Sequence, residues 1–372
     1  MSSRVRVIVM VPALLFAGCG ASAKDSGVGT TSSTAASVGS GSSATAAATT
    51  TVAVVAGAIV NTWTGATVDP TKLPIGDSKV STKGAAIGGL WACRAGNPNA
   101  GGASADGPWL NNAAGTWDST TKLAVQGSVT WEAAKYTETV ADGKRVLTTN
   151  NLPVSAKTGT FPIASSDPSY KYDRNPGSIT AKPTTVTLAE TGAEAASPSC
   201  LSEGVVGILK NGVFVFNSLD GRNQDAVAHE SQDLCDGHPA MTTYHYHNVP
   251  SCIRNATTGS STIVGWAYDG FPIVVERDAK GALPTNADLD VCHGRTSPVL
   301  LDAKIVNMYH YSATLEFHTS SVVTRALPRP SPSSVLIRDD PRCTPRLAGR
   351  FGLGHFVGPG RPGHGSSRRD RA

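Results

Sequence analysis

The sequence predicts a mainly β fold, either an antiparallel β-sandwich or an irregular β-barrel, with one short helix and long loops. From about Val52 onward, short apolar runs are divided by Gly, Pro, Asn and Asp, as in strands joined by turns. Hardly any stretch keeps the period of an amphipathic helix. The exception is Asp225–Leu234, which predicts a short helix with Asp225 as its N-cap. No repeat at a fixed short period is visible.

Two dipeptides, Asn211-Gly212 and Asp142-Gly143, indicate hairpin turns because Asn, Asp and Gly accept positive φ angles, and Asn211-Gly212 predicts a turn of two residues. The predicted hairpins join Val205–Lys210 to Val213–Phe216 and Tyr136–Val140 to Arg145–Thr149. Further predicted strands are Ser128–Ala133, Thr184–Leu188, Ile263–Ala267 and Ile273–Glu276.

Residues 1–19 have the pattern of an export signal: two arginines, the apolar run Val7–Ala17 and small residues before Cys19. The end of this run, Leu15–Cys19, resembles a bacterial lipobox, although Phe16 stands where leucine is usual. The resemblance implies that Cys19 is lipidated and that the membrane is a partner through this anchor. The alternative is an ordinary secretory signal and a secreted protein. Both predict an extracytoplasmic location.

Three segments of different composition follow the signal. Residues 20–51 are almost wholly Ser, Thr, Ala and Gly, which predicts a disordered tether. Residues 52–317 predict one β-rich domain, with no apolar run of the ~18 residues that span a bilayer. Residues 318–372 contain ten Arg, three Asp and no Lys, a charge of +7, so the part before this basic tail carries −3 of the total +4. The domain itself therefore does not have the charge of a nucleic-acid-binding protein.

The cysteines beyond Cys19 are even in number, which in an exported protein indicates disulfides. None forms a Cys-x-x-Cys pair, which argues against a thiol redox centre or a thiolate zinc site. The pairing stays open at this point. The candidates in the domain are Cys93, Cys200, Cys235, Cys252 and Cys292, and Cys343 lies in the tail.

His245 and His247 have the spacing of two metal ligands on one strand. Side chains two apart share a face, so both imidazoles project together while Tyr244 and Tyr246 project to the other side. Since metal–nitrogen bonds are about 2 Å long, imidazoles ~7 Å apart along the backbone can converge on one ion. Weaker candidate ligands are His238, His293 and His310. Candidate carboxylate ligands, or acceptors that orient a ligand histidine, are Glu230, Asp233 and Asp236.

Two other interpretations of these histidines remain open. They can belong to a hydrogen-bonded core of a structural or ligand-binding module without metal. Alternatively, a bound metal with an open position would make a hydrolase or oxidoreductase. No nucleophile elbow or phosphate-binding loop is present, so no catalytic signature supports an enzyme directly. An imidazole-rich site without thiolate pairs favours copper or zinc.

An ordered set of motifs across about residues 200–317 resembles the YHYH domain family. These motifs are Glu230-x-x-Asp233-x-Cys235-x-Gly237-His238-Pro239, Tyr244-His245-Tyr246-His247, Cys252, Gly265–Ile273 and Leu289-Asp290-x-Cys292-His293-Gly294-Arg295. The upstream segments Leu73–Asp77 and Trp91–Cys93 are also similar to the region before the motif in such proteins. The resemblance implies an exported protein of unknown biochemical activity, with a shared role for His245 and His247 and no assigned ligand.

The chain departs from the family in two places. Tyr309-His310-Tyr311-Ser312 resembles a second copy of the motif with serine at the position of its last histidine. After Phe317, a continuation similar to Pro-Tyr-x-Val-Gly-Cys is missing. We interpret residues 318–372 as the product of a frameshift, in which Cys343 is accidental. The alternative is a genuine basic tail that binds nucleic acid or anionic lipid.

The frameshift interpretation predicts the nucleotide sequence. One set of codons compatible with Phe317 and most of the next six residues is TTC CAT ACA TCG TCG GTT GT. One C inserted after the first of these codons gives Phe-Pro-Tyr-Ile-Val-Gly-Cys. Sequencing of codons 317–323 should therefore show the family ending in a neighbouring frame. Codons that cannot yield it would establish the tail as genuine.

Overall fold

The computed structural model describes residues 59–317. The predicted export signal with Cys19, the tether at 20–51 and the tail at 318–372 with Cys343 lie outside these residues. Within the described range the chain is mainly β, as the sequence predicts.

The secondary structure consists of short strands and a few helical turns. In chain order the described strands are β1 (Leu73–Pro74), β2 (Val80–Ser81), β3 (Leu90–Trp91), β4 (Leu110–Asn111), β5 (Thr116–Trp117), β6 (Tyr136–Ala141), β7 (Lys144–Thr149), β8 (Thr184–Ala189), β9 (Val205–Leu209), β10 (Phe214–Phe216), β11 (Gly237–Ala240), β12 (Thr243–Tyr246), β13 (Ser261–Ala267), β14 (Pro272–Glu276), β15 (Gly294–Leu301) and β16 (Lys304–Ser312). The helices are α1 (Ala226–His229) and α2 (Ser251–Ala256), with 3-10 turns at Asp77–Lys79, Pro168–Lys171 and Asn286–Asp288. No helix within residues 59–317 has the length and apolar character needed to cross a membrane.

Two packed sheets form the centre of the domain. The larger has eight strands in the order β11-β12-β10-β9-β13-β14-β16-β15, and the smaller has the order β6-β7-β8. Ile208 and Trp266 of the large sheet share a buried apolar cluster with Leu147 and Leu188 of the small one. On the other side of the large sheet, a second cluster contains Tyr244 among its buried side chains. The arrangement agrees with the predicted sandwich.

Both predicted hairpins are present. In β6–β7 the turn residues Asp142 and Gly143 have φ of 52° and 70°. In β9–β10 the predicted two-residue turn is wrong, since the loop has three residues and the Gly212 N–H donates to the Leu209 carbonyl. Only Gly212 in this loop has a positive φ, 87°. The predicted strands in β8, β13 and β14 are also confirmed.

Other predictions need correction. The large sheet is not purely antiparallel, since β10 pairs with β12 and β14 with β16 in parallel. Ser128–Ala133 is not a strand and contributes only the isolated bridge of Val129 to Thr158. The helix predicted over Asp225–Leu234 ends at His229. Tertiary contacts outweighed local propensity in these segments.

Two four-stranded halves of the large sheet repeat each other. Strands β9 to β12 lie in the order β11-β12-β10-β9, and β13 to β16 continue in the corresponding reverse order, β13-β14-β16-β15. Each half contains an antiparallel hairpin whose second strand pairs in parallel with the last strand of that half. The halves meet where Ile208 of β9 faces Trp266 of β13. The sheet therefore has an approximate two-fold axis through this pair.

The repeat extends to single residues, with a constant spacing of 58 between 205–216 and 263–274. The equivalent turn glycines, Gly212 and Gly270, have φ of 87° and 90°. The pairing also skips one residue at the same place in each hairpin, Val206 in the first and Val264 in the second. The spacing is long and many equivalent side chains differ, so no short-period search would find it.

The second hairpins of the two halves correspond as well. The Tyr244 hydroxyl donates to Asp233 Oδ2 at 2.8 Å, and the equivalent Tyr309 hydroxyl donates to Asp290 Oδ1 at 3.1 Å. Both aspartates also accept a hydrogen bond from the backbone N–H two residues later. We refer to residues 205–247 as the first copy and 263–312 as the second copy.

The structure resolves the cysteine pairing that the sequence left open. Cys93 lies against Cys200 and Cys235 against Cys252, with Cα–Cα distances of 4.8 and 5.1 Å, and both pairs form disulfides. Cys292 is buried and lies outside these two pairs.

The close approach of the two copies predicts a stability effect. A Cβ on Gly207 would lie 2.7 Å from the Trp266 carbonyl oxygen, and one on Gly265 would lie 2.7 Å from the Ile208 carbonyl oxygen. Gly207→Ala and Gly265→Ala should each lower the free energy of unfolding by about 1–3 kcal/mol in urea denaturation, because the backbone must move apart. Gly84→Ala, where nothing lies within 4 Å, is the matched control and should be neutral. Equal unfolding midpoints for all three variants would contradict the close contact.

Candidate functional site

The hairpin β11–β12 brings three histidines together. His238 and His245 are direct cross-strand partners in the antiparallel register, and His247 follows β12 by one residue. Tyr244 and Tyr246 alternate with the histidines and enter the core on the opposite face, where neither is exposed. The predicted separation of tyrosines from histidines is thus present.

The ring nitrogens of this trio converge. Nε2 of His247 lies 2.9 Å from Nε2 of His245 and 3.1 Å from Nε2 of His238. Within residues 59–317, these three histidines are the one group of three or more side chains whose potential metal-binding atoms all lie within 4.8 Å of one another. The site therefore contains the two predicted principal ligands and one of the three weaker candidates.

Backbone carbonyls fix the orientation of two of the rings. His245 Nδ1 donates to the Thr243 carbonyl at 3.1 Å, and His247 Nδ1 donates to the Asn217 carbonyl. An imidazole that carries its proton on Nδ1 has a lone pair on Nε2. The lone pairs of His245 and His247 therefore point at each other, an arrangement that needs a shared proton or a cation.

Burial keeps the trio neutral. Desolvation lowers the pKa of His247 to about 4, against an opposing effect of the Asn217 carbonyl. Burial, followed by the neighbouring histidines, holds the pKa values of His238 and His245 well below the ordinary range. Neutral imidazoles are the form that binds metals.

The trio lies at the side of a cleft of about 760 Å³. Glu230 lines the same cleft, with its Oε2 atom 3.5 Å from His238 Nε2 and 3.6 Å from His247 Nε2. Burial raises the pKa of Glu230 well above its ordinary value, and the nearby carboxylates of Asp220 and Asp173 raise it further. A carboxyl group in this position can exchange a proton with a molecule that sits in front of the histidines.

The other predicted carboxylates have different roles. Asp233 accepts hydrogen bonds from the Tyr244 hydroxyl and the Gly159 N–H, and so anchors the tyrosine rather than a histidine. Asp236 accepts from Asn248 and from the N–H of Ser251 at the start of α2.

The two remaining histidine candidates lie in the second copy. His310 is the counterpart of His245, and His293 follows Cys292 in the loop before β15. His310 Nε2 contacts Glu276 Oε1 at 2.8 Å, and His293 Nε2 contacts the Thr314 hydroxyl at 3.3 Å. The structure does not bring either of them to the trio.

Two contributors to the site are absent from the sequence-based candidates. Phe216 stacks on the His245 ring with a centroid distance of 3.9 Å, and Asn217 supplies the carbonyl for His247. Phe216 ends β10 and Asn217 follows it, and β10 pairs with β12 in parallel. The run Val213–Phe216 predicted the strand, but no sequence pattern indicated its partner.

The comparison with known proteins rests on the same segment. Residues 177–284 match a protein-family model described as YHYH protein. The chain contains a YHYH domain. The match includes the whole histidine trio, and it ends before β15 and β16 of the second copy. No curated protein and no solved structure gives a significant match.

Within the YHYH domain, helix α1 holds Glu230 in place. Asp225 caps the helix by accepting from the N–H groups of Val227 and Ala228. The last helical residue, His229, contacts Asp77 Oδ2 through Nε2 at 3.0 Å and Asp106 Oδ1 through Nδ1 at 3.5 Å. Burial disfavours the charged imidazole, but the hydrogen bond and charge of Asp77, with Asp225 and Asp106, raise the pKa of His229 on balance.

This contact predicts a pH dependence. Because the pKa of His229 is higher in the folded state than its ordinary value of 6.5, the ion pair stabilises fully below about pH 6.5 and is lost as the pH rises through the folded pKa. The free energy of unfolding of the wild type should therefore fall relative to that of Asp77→Asn between pH 6 and 8.5. The difference should be at most about 1 kcal/mol, since Asp77 is 38% exposed. Urea denaturation across this range measures it, and parallel pH profiles would contradict it.

Proposed function

We propose that this chain is an exported envelope protein whose YHYH domain binds one transition-metal ion through Nε2 of His238, His245 and His247. The observation that carries the proposal is the convergence of three buried Nε2 atoms, two of them on rings whose Nδ1–H is held by a carbonyl. Metal-binding histidines are oriented in this way in proteins.

The distances support an ion with nitrogen ligands. Tetrahedral coordination with bonds of about 2.05 Å separates the nitrogens by about 3.3 Å. The separations of 2.9 and 3.1 Å need only a small widening to reach that value. Three imidazoles without a thiolate suit copper or zinc. The ion would provide a Lewis acid at the side of the cleft.

Export is proposed from the N-terminal pattern, with Cys19 as the lipid anchor. The disulfides Cys93–Cys200 and Cys235–Cys252 support it, because disulfides persist in oxidising compartments.

Metal analysis tests the proposal. The purified chain should bind one equivalent of copper or zinc, and the double variant His245→Ala/His247→Ala should lose at least about 100-fold in affinity. His293→Gln, outside the trio, is the matched control and should retain the ion. Isothermal titration with elemental analysis gives both numbers. Equal substoichiometric metal in the wild type and the double variant would leave the alternative, in which the histidines only pack.

A second candidate function is metal-dependent hydrolysis or redox chemistry. The cleft and the position of Glu230 favour it, since an enzyme needs both space for a substrate and a proton acceptor beside the ion. The apolar ring of Phe216 and the carboxylates of Asp173 and Asp220 line the same cleft. They would contact the substrate or tune the charge around Glu230.

Glu230→Gln separates the two candidates. The substitution keeps the shape of the side chain and removes its ability to accept a proton, so hydrolysis should fall by about 10²–10⁴-fold while metal stoichiometry is unchanged. Suitable probes are p-nitrophenyl acetate and bis(p-nitrophenyl) phosphate with the zinc-loaded chain. Rates that are the same in the wild type and in His245→Ala/His247→Ala would remove the enzyme candidate.

A further inference from the structure

The second copy contains a centre at the position that corresponds to the histidine trio. By strand register, Arg295 faces His310 as His238 faces His245, and Ser312 stands where the first copy has His247. By the spacing of 58, Glu276 corresponds to Ser218. Two of the three imidazoles are thus replaced, and a carboxylate has been added where the first copy has a small hydroxyl.

The added carboxylate of Glu276 is the common hydrogen-bond partner of the polar side chains in this centre. Glu276 Oε1 accepts from His310 Nε2 at 2.8 Å and from the Ser312 hydroxyl, and Oε2 accepts from the Ser297 hydroxyl at 3.1 Å. The Arg295 guanidinium lies 3.9 Å from Oε2. Glu276 and His310 are both completely buried.

The two centres differ in what their imidazoles face. His310 Nδ1 donates to the Met308 carbonyl at 3.0 Å, as His245 Nδ1 donates to the Thr243 carbonyl. His310 Nε2 faces a carboxylate oxygen, so each of its two ring nitrogens has an oxygen within hydrogen-bond distance. His245 Nε2 faces another imidazole nitrogen, where a shared proton or a cation is needed.

We infer that the second copy is a metal-free version of the same centre, in which the pair formed by Glu276 and His310 fills the place of the ion. This inference rests on the proposed function of the first copy. It states that the chain binds one ion and not two, and that His310 and Arg295 serve the fold. It also states that the scaffold of the second copy still matches a three-histidine site.

Exchange of the differing residues between the copies tests the inference. Glu276→Ser/Arg295→His/Ser312→His gives the second copy the residues of the first, and the full chain with these substitutions should bind a second equivalent of zinc or copper. The reverse set, Ser218→Glu/His238→Arg/His247→Ser, should bind none and remain folded. Elemental analysis and isothermal titration count the ions, and circular dichroism reports folding. A folded first set with no additional ion would overturn the inference.

Thermal unfolding without metal provides an independent test if either set fails to fold. Glu276→Gln and His310→Gln should each lower the midpoint by roughly 10 °C, because each leaves a buried partner uncompensated. The double variant should be little worse than either single variant, since the two side chains act as a pair. Additive losses would overturn the role of the pair. A wild type that binds no metal refutes the proposed function. The inference about the second copy is then decided by whether the variant Glu276→Ser/Arg295→His/Ser312→His binds an ion.

Discussion

The structure depends on the alternation of tyrosine and histidine along β12. Tyr244 and Tyr246 are wholly buried, with their hydroxyls bonded to Asp233 and to the Asn211 side chain. A buried tyrosine hydroxyl without a partner costs about 1–3 kcal/mol, so these bonds fix the rotation of the strand about its axis. With that rotation fixed, His245 can only project toward β10 and the cleft. A shift of one residue would exchange the two faces and remove the site.

The sequence was sufficient for the parts of the site that follow from local geometry. Strand periodicity predicted that His245 shares a face with His247, and nearness in the chain made His238 a candidate. Periodicity could not show that β11 returns in a register that sets His238 against His245. It also could not show that Phe216 and Asn217 approach through a parallel pairing, because such pairing joins distant segments without a turn to indicate it. His310 and His293 had the right residue type, but sheet order carries them into the second copy.

The repeat explains why sequence reasoning treated these histidines as one set. Equivalent positions such as Asp233 and Asp290 keep their hydrogen bonds in both copies, because they determine the loop before the hairpin. Positions at the centre itself, such as His247 and Ser312, differ between the two copies. The two copies thus share their backbone more closely than the side chains at their centres. A motif search detects the shared framework and does not show that the central side chains differ.

Both centres contain a buried imidazole whose Nδ1–H donates to a carbonyl of its own strand, so the Nε2 atom of each ring needs a partner from elsewhere. The geometry of the hairpin directs Nε2 of His245 and of His310 at other side chains rather than at the backbone. A carboxylate oxygen gives that nitrogen a hydrogen-bond partner, as Glu276 does for His310. Two further imidazoles cannot serve as such partners for His245. Each adds a lone pair to the same space, and burial opposes protonation of all three rings. An ion that accepts three lone pairs and reaches solvent through a cleft satisfies that arrangement. The first copy has such a cleft, and this is the physical reason to propose the metal for the first copy.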